Sequence, residues 1–306
     1  MRPIYFPVPD ERPPTIDPVA AERWDRAAPA RPPWLHEEVG RRMEERLQWI
    51  RLQPRAWADW APVRGGLEAH ARVAQRYPRA ECFVAEEQAG RRQAAGAALS
   101  PPWWKRWRGA PAVRHAAGVP DAAVQMLWSN MALHLAADPR ALMARWHRAL
   151  AVDGFLMFSC LGPDSLRELR DLYRGLGWPP PASEFTDMHD WGDMLVHAGF
   201  AEPVMDMERL TLTWETPQRL LAELRELGAN LHPGRFPALR GRAWRGRLEQ
   251  ALAGRLAGPD GRLSLTFEII YGHALKPAPR VRVGAESAVS LQDMKALLQA
   301  DKRPRD

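Results

Sequence analysis

An acidic residue, a glycine-containing loop and a second acidic residue follow one another early in the chain, in an order typical of nucleotide and cofactor sites. Asp59 ends a short apolar segment, and the loop after it reaches Gly65 and Gly66 before a helical pattern begins. Such a loop brings backbone N–H groups and a helix N-terminus close to a bound anionic group. Glu86 ends the next apolar segment, where an acid commonly accepts hydrogen bonds from ribose hydroxyls. An ordinary turn at the glycines and a solvated acid at Glu86 are the simpler alternatives.

Three neighbouring residues at the end of a later apolar segment are candidates for the same site. They are Trp128, Ser129 and Asn130. Ligands of open α/β sheets bind at the carboxyl ends of the strands, so side chains at such an end can line a ligand site. Trp128 is equally consistent with a core residue, and Asn130 with a residue that caps the following turn.

A second group of polar side chains lies in the loop 228–235, between two helical patterns late in the chain. Asn230, His232 and Arg235 stand there among glycine and proline and could hold an anionic substrate. The ordinary polarity of a loop explains them as well. No serine or cysteine stands in a nucleophile elbow, and no set of histidine, cysteine and carboxylate residues has metal-ligand spacing. The sequence therefore predicts neither covalent catalysis nor a metal site.

The elements that must position these residues alternate between strands and helices. Five apolar segments have the length of buried strands: 55–60, 80–85, 112–116, 122–128 and 155–160. Helical patterns stand between them, notably at 67–77 and 139–150. This alternation predicts a mostly parallel, doubly wound sheet. Two later strands, 203–214 and 262–274, predict an antiparallel pair at the edge of the sheet.

Proline-rich segments divide the chain into parts. Residues 1–14 have no periodicity and are expected to form an irregular arm. We expect one domain over 15–277, in which 215–258 form a helical cap over the strand ends. Residues 278–306 are polar and are expected to be a flexible tail with a short helix.

The composition limits the partners and the compartment. The chain has 43 basic and 37 acidic residues, a formal net charge of +6, and the basic residues are mixed with acids and form no stripe that would follow a nucleic acid. No apolar run approaches the ~18 residues of a membrane span, and the N-terminus lacks the apolar core of a signal peptide. Cys82 and Cys160 stand in apolar segments and suggest a reducing compartment. We expect a cytoplasmic protein that binds neither nucleic acid nor membrane.

Several segments carry a resemblance to a known family. The chain resembles the malonyl-[acyl-carrier protein] O-methyltransferases of biotin synthesis from about residue 120 to 277, and the pieces beyond residue 185 are not general methyltransferase features. The segments that carry the likeness are 128–135 (WSNMALHL), 149–163 (ALAVDGFLMFSCLGP), 166–169 (LREL), 185–189 (FTDMH), 198–200 (AGF), 203–212 (PVMDMERLTL), 227–230 (LGAN) and 266–273 (TFEIIYGH).

The resemblance implies a fold, a cofactor and a substrate. Members of the family are α/β proteins with a Rossmann-like class I methyltransferase fold, a mostly parallel seven-stranded sheet with helices on both faces and a helical cap. They use S-adenosylmethionine to esterify the free carboxylate of a malonyl thioester on acyl carrier protein in early biotin biosynthesis. Because that carboxylate is already a nucleophile, the reaction depends on positioning and desolvation and implies no catalytic base.

The resemblance also divides the candidate residues between two ligands. Cofactor contacts are implied for Asp59, Gly65, Gly66, Glu86, Trp128, Ser129 and Asn130. Substrate contacts are implied for Asn230, His232 and Arg235.

The glycine loop departs from the family pattern, which is an acid followed by glycines at alternate positions. Ala61 and Val63 occupy the first two glycine places, and only Gly65 remains. A β-branched side chain resists positive φ and would put methyl groups where the backbone approaches the cofactor, so we expect Val63 to obstruct the site. The alternative function is therefore a diverged methyltransferase-like protein that binds acyl carrier protein without turnover, through the arginines of 235–247.

Overall fold

A computed structural model describes residues 16–100 and 111–279. Its strands are β1 (Ala56–Trp60), β2 (Glu81–Ala85), β3 (Val113–Ala116), β4 (Val124–Ser129), β5 (Leu150–Leu161), β6 (Ala201–Trp214) and β7 (Leu263–Leu275). The expected arm, 1–14, lies outside the described residues, and so does the expected tail beyond residue 279.

The strands form one sheet in the order β3-β2-β1-β4-β5-β7-β6. The first five strands in the chain run parallel to one another. β7 lies between β5 and β6 and is antiparallel to both. The mostly parallel sheet with an antiparallel pair at its edge is thus confirmed, and the fold is a Rossmann-like α/β fold of the class I methyltransferase type.

Helices connect and cover the strands. They are α1 (Pro18–Ala27), α2 (Trp34–Arg46), α3 (Pro62–Gly65), α4 (Leu67–Arg76), α5 (Ala89–Leu99), α6 (Pro139–Ala149), α7 (Arg167–Gly175), α8 (Met188–His197), α9 (Pro217–Leu227) and α10 (Arg242–Leu256). No helix among these described parts of the chain is long and apolar enough to cross a membrane.

Each face of the sheet carries its own apolar core because side chains alternate along the strands. In β1, Trp57 packs into the core that includes residues of α2 and α4. Trp60 packs into the opposite core, with residues of α6 and α8. Trp128 of β4 belongs to the same core as Trp57 and is 1% exposed. Helices on both faces are therefore confirmed, and the structure favours the core interpretation of Trp128.

Local sequence signals predict the start of α6 but do not predict α5. The Asp138 side chain accepts a hydrogen bond from the Ala141 N–H at 2.9 Å, and Pro139 occupies the first helical turn of α6. The helix α5 was not predicted because alanine, glycine and arginine give it no apolar stripe. Its buried residues are Arg91 and Ala95.

A glycine in β7 is required by an aromatic ring on the neighbouring strand. Gly272 stands opposite Phe158 of β5, and a Cβ built at Gly272 would overlap the Phe158 ring. Phe158 is fully buried in the core.

We expect Gly272→Ala to lower the free energy of unfolding by about 1–3 kcal/mol, because an added methyl overpacks a core that is already filled. Urea unfolding measures the change. Gly246→Ala in α10 is the matched control, because nothing lies within 4 Å of a Cβ there. That control should stabilise the protein by up to about 1 kcal/mol. A Gly272→Ala protein as stable as the parent would contradict the packing.

Candidate active site

The loop after β1 contains a residue in the left-handed conformation that glycine normally adopts. That residue is Ala61, whereas the sequence led us to expect the conformation at Val63. Ala61 has a φ of 61° and lies in the left-handed region, and Gly66 has a φ of 136°. Val63 is not among the residues with positive φ, because it lies within the helical turn α3. Non-glycine residues in the left-handed region cost about 1–2 kcal/mol. The expected strain is therefore real but falls on Ala61.

Val63 supports the site and does not obstruct it. Its side chain is 1% exposed and packs in the core beneath the sheet. Its N–H donates a hydrogen bond of 2.9 Å to Oε1 of Glu86. The expectation that Val63 methyl groups stand where a cofactor would approach is wrong, because those methyl groups do not line the cavity described below.

Asp59 stabilises the loop from its buried side, through a contact with α4. Its Oδ2 lies 2.8 Å from Nδ1 of His70, which is on α4, and both side chains are almost completely buried. Burial raises the pKa of the Asp59 carboxyl. The hydrogen bond joins the end of β1 to the helix that begins after the loop, so Asp59 positions the loop without reaching the cavity.

Glu86 lies at the carboxyl end of β2 and lines a cavity of about 580 Å³. Its Oε2 accepts a hydrogen bond of 3.2 Å from Nε of Arg91, while Oε1 accepts the one from Val63. Burial raises the pKa of Glu86. Arg91 also forms an ion pair with Asp25 of α1. Glu86 is therefore a buried acid, and its partners link the loop, α5 and α1.

The cavity lies at the carboxyl ends of β1, β2 and β4, under α1. Five acidic side chains line it: Glu22, Asp25, Glu86, Glu87 and Asp138. Three arginines also line it: Arg64, Arg91 and Arg145. The excess of carboxylates gives the cavity a negative balance, which favours a ligand with net positive charge.

Asn130 is the second predicted cofactor residue that lines this cavity. Its Nδ2 donates to the carbonyl oxygens of His36, at 2.7 Å, and of Gly65. Its Oδ1 accepts a hydrogen bond of 2.6 Å from the Ser159 hydroxyl. Gly65 is packed against it, since a Cβ at Gly65 would stand 3.0 Å from the Asn130 carbonyl oxygen. Asn130 thus joins the loop, α2 and β5.

The remaining predicted cofactor residues lie behind the cavity wall. Trp128 and Ser129 are completely buried or nearly so, and Gly65 and Gly66 lie in the loop backbone. None of these four lines the cavity. The structure brings the predicted set into one region, but only Glu86 and Asn130 border the space itself.

A second cavity of about 450 Å³ adjoins the first, and Trp24 and Leu135 line both. Its walls are mostly apolar and come largely from α7, α9 and the loop after α9. Arg225 on α9 is the one charged residue among the described residues that line it. His134 also lines it, and burial lowers the pKa of His134 to about 3, so its ring is neutral at physiological pH.

The predicted substrate residues are divided by the structure. Asn230 lines the second cavity, where its Nδ2 donates to the Pro180 carbonyl oxygen at 2.7 Å. His232 accepts a hydrogen bond from the Gly234 N–H at 2.8 Å and lines neither cavity. Arg235 lines neither cavity as well, and its guanidinium pairs with Asp17 at the start of α1, at 2.7 Å. His232 and Arg235 therefore organise the loop and hold α1.

Sequence reasoning missed Arg225, although a signal was present. Leu221, Leu224 and Leu227 follow the helical period along α9 and line the second cavity, and Arg225 comes four residues after Leu221. A cation beside an apolar helix face is the signal that could have identified it.

The residues present fit the cofactor that the resemblance implies. S-adenosylmethionine carries a sulfonium, an ammonium and one carboxylate, so its net positive charge suits the acidic lining. A cavity of about 580 Å³ is within the usual range for such a ligand. One buried polar atom supports the fit further, because Nη1 of Arg64 has no hydrogen-bond partner within 16–100 and 111–279. Among the described residues, no cluster of histidine, cysteine and acidic side chains could hold a metal ion.

Comparison with curated proteins finds long, similar relatives. The chain is 42% identical over 270 residues to the malonyl-[acyl-carrier protein] O-methyltransferase of Gallionella capsiferriformans (strain ES-2), covering 86% of this chain and 89% of the relative. It is 40% identical over 271 residues to the protein of that name from Laribacter hongkongensis (strain HLHK9), covering 86% and 88%. No protein-family profile matches the chain.

Comparison with solved structures supports the fold. The YcgJ protein from Bacillus subtilis superposes with a TM-score of 0.51 at 13% identity, covering 79% of this chain and 99% of that one. At that identity the likeness shows the fold alone.

The loop geometry predicts opposite effects for two glycine substitutions. Ala61→Gly relieves the left-handed strain of about 1–2 kcal/mol and adds about 0.5–1 kcal/mol of unfolded-state entropy, so we expect stability unchanged or slightly raised. Val63→Gly removes a buried side chain from a helical turn, and we expect a loss of about 3 kcal/mol.

Urea unfolding of both variants checks this, with Val63→Ala as the control that keeps the Cβ and loses only the methyl groups. We expect Val63→Ala to fall between the parent and Val63→Gly. Clear destabilisation by Ala61→Gly would contradict the assignment of strain to Ala61, and an unchanged stability of Val63→Gly would contradict the packing of Val63 in the core.

Proposed function

The chain belongs to the family of malonyl-[acyl-carrier protein] O-methyltransferases, and we propose that it methylates the free carboxylate of a malonyl thioester in early biotin biosynthesis. S-adenosylmethionine is the methyl donor. The observation that carries the proposal is the pair of adjoining cavities, one acidic and one apolar, with Trp24 and Leu135 on both. A cationic donor suits the first, and an acyl chain with its carboxylate suits the second.

We propose that Glu86 and Asn130 border the cofactor and that the other predicted residues shape their surroundings. Glu86 keeps acceptor capacity on both carboxylate oxygens for ribose hydroxyls. Asp59, Gly65, Gly66, Trp128 and Ser129 support the loop and the end of β4 from the core side. When bound, S-adenosylmethionine would supply the methyl group of its sulfonium, and the leaving group of the transfer is the neutral thioether of S-adenosylhomocysteine.

The chain's own contribution to the reaction is positioning and exclusion of water. The malonyl carboxylate needs no base, because it is ionised at neutral pH and attacks through its own oxygen. The apolar walls of the second cavity remove water from that carboxylate, which makes it a stronger nucleophile. Because His134 is neutral, it forms no ion pair that would hold the malonyl carboxylate away from the methyl donor.

Arg225 supplies the cation that the substrate needs at this cavity. Its side chain is exposed at the cavity margin and makes no hydrogen bond or ion pair with another described residue. A carboxylate is attracted by this guanidinium before reaction, whereas the methyl ester product carries no charge there. Arg225 therefore favours entry of the acid over retention of the ester.

An acidic carrier protein is the proposed partner, and the start of α10 is its proposed docking place. Arg242 and Arg247 are exposed there, and Arg240 stacks on Trp244 at 4.0 Å. Trp244 contacts Tyr173, with 6.4 Å between ring centroids, and Tyr173 lines the apolar cavity. The basic surface thus lies beside the cavity, where it would steer an acidic partner. The alternative of a carrier-binding protein without turnover receives no support from the relatives.

Methyl transfer to malonyl-acyl carrier protein tests the proposal directly. With methyl-labelled S-adenosylmethionine, we expect a base-labile methyl ester on the malonyl thioester and none on the acetyl thioester, which lacks the free carboxylate. We also expect growth of a biotin auxotroph that lacks this methyltransferase. Folded protein that labels no malonyl thioester would contradict the proposal.

Arg225→Ala should raise KM for malonyl-coenzyme A about three- to tenfold and change kcat little, since the lost interaction is one charge-assisted contact at an exposed margin. Steady-state kinetics with this small thioester avoids effects on carrier docking. Arg219→Ala is the matched control, because Arg219 lies on the same helix and does not line the cavity. Equal KM values for the two variants would exclude this role for Arg225.

A further inference from the structure

Arg64 is a buried cation that forms no ion pair with a carboxylate in the part of the chain that the structure describes. It stands in α3, and only 8% of the residue is exposed. Its Nη2 donates to the carbonyl oxygens of Glu226 and Leu227, at 3.1 and 3.3 Å, and its Nη1 is buried with no partner among the described residues. Trp24 covers one side, with its ring centroid 5.1 Å from the guanidinium carbon.

The acidic side chains near Arg64 are already engaged with other groups. Asp25 pairs with Arg91 and accepts a hydrogen bond of 2.6 Å from Gln88. Glu86 accepts from Val63 and Arg91. The Glu226 side chain pairs with Arg31 at 2.8 Å. Two carbonyl oxygens therefore provide the only polar acceptors that the described residues give the Arg64 guanidinium.

A buried charge without a directly paired counter-ion is expensive, and Arg64 remains charged. Burial, followed by the nearby Arg91, lowers the pKa of Arg64 to about 10, while the charges of Asp25 and Glu86 oppose this in part, and the guanidinium stays protonated at neutral pH. Burying an ion without its counter-ion costs several kcal/mol. A ligand carboxylate that reaches the guanidinium from the cavity would offset that cost, and an arginine is suited to bind one.

The position of Arg64 identifies which carboxylate it meets. Arg64 lines the acidic cavity, together with Glu86, and does not line the apolar cavity. We propose that Arg64 binds the carboxylate at the amino-acid end of the cofactor. The inference rests on the proposed function, since it needs S-adenosylmethionine in the acidic cavity. The side chain of Arg64 would then bind the cofactor carboxylate from the same loop in which Ala61 and Val63 stand at two of the family's glycine positions.

Calorimetric titration with two ligands tests the proposal without turnover. S-adenosylhomocysteine keeps the amino-acid carboxylate, and decarboxylated S-adenosylhomocysteine lacks only that group. We expect Arg64→Gln to weaken binding of S-adenosylhomocysteine about 10- to 100-fold, as the loss of a charge-assisted hydrogen bond does, and to change binding of the decarboxylated ligand less than about threefold. Arg64→Lys should recover part of the loss.

Arg145→Gln is the control, because Arg145 lines the same cavity but already pairs with Glu87 at 2.5 Å. It should not distinguish the two ligands. Circular dichroism and the thermal midpoint of each variant establish that it is folded, and Arg64→Lys keeps the test available if Arg64→Gln does not fold.

The outcomes separate this inference from the proposed function. Equal losses for both ligands, or no loss for either, would overturn the role of Arg64 while leaving the cofactor in place. An unchanged affinity for S-adenosylhomocysteine with a raised KM for malonyl-coenzyme A would assign Arg64 to the substrate carboxylate and overturn the proposal as well. Failure of the parent protein to bind S-adenosylhomocysteine would remove the proposed function and this inference together.

Discussion

The hydrogen bond from the Val63 N–H to the Glu86 carboxylate is the interaction on which the site depends. It attaches the loop after β1 to the end of β2, and that attachment holds one wall of the acidic cavity. From Glu86 the contacts continue to Arg91 and then to Asp25 on α1. Because the carboxylate is buried, each of these partners offsets part of its desolvation cost. Loss of the loop attachment would therefore affect the helix that covers the cavity as well.

The same loop explains how the fold keeps its shape with fewer glycines than its family. The sharp turn after β1 requires one residue with positive φ, and Ala61 accepts that conformation at a modest energetic cost. At Val63 the chain has already entered a helical turn, where a β-branched residue is tolerated and contributes to the core. The glycine pattern and the loop geometry are thus separable properties.

The sequence predicts the sheet well because strand burial and helix capping are local signals. Apolar segments located β1 to β7, and Asp138 with Pro139 marked the start of α6. The helix α5 was missed because its stability comes from contacts of Arg91 and Ala95 with distant parts of the chain, and no apolar period reveals them. Glu86 could be predicted as well, because it directly follows the apolar segment that predicts β2.

The candidate site could be predicted only in part because its cavities are made by contacts between distant segments. Arg64 meets the end of α9, more than 160 residues further along the chain, and Arg235 meets Asp17 across a still longer separation. No spacing in the sequence records such pairs. The polarity of the loop 228–235 predicted substrate contacts, but His232 accepts a hydrogen bond within the loop and Arg235 forms an ion pair with Asp17 at the start of α1. Asn230 alone reaches the cavity.

The attachment of α1 has a consequence for access to the cavities. Besides its polar contacts with Arg91, Gln88 and Arg235 and the contact of Trp24 with Arg64, α1 packs through a small apolar cluster centred on Ile16, Ala21 and Leu231. So small a cluster gives α1 a lower free energy of local opening than the sheet core. Because α1 lies over the acidic cavity, local opening of this one helix would expose the cavity to solvent while the sheet stays folded, and Trp24 would uncover the neighbouring apolar cavity in the same movement.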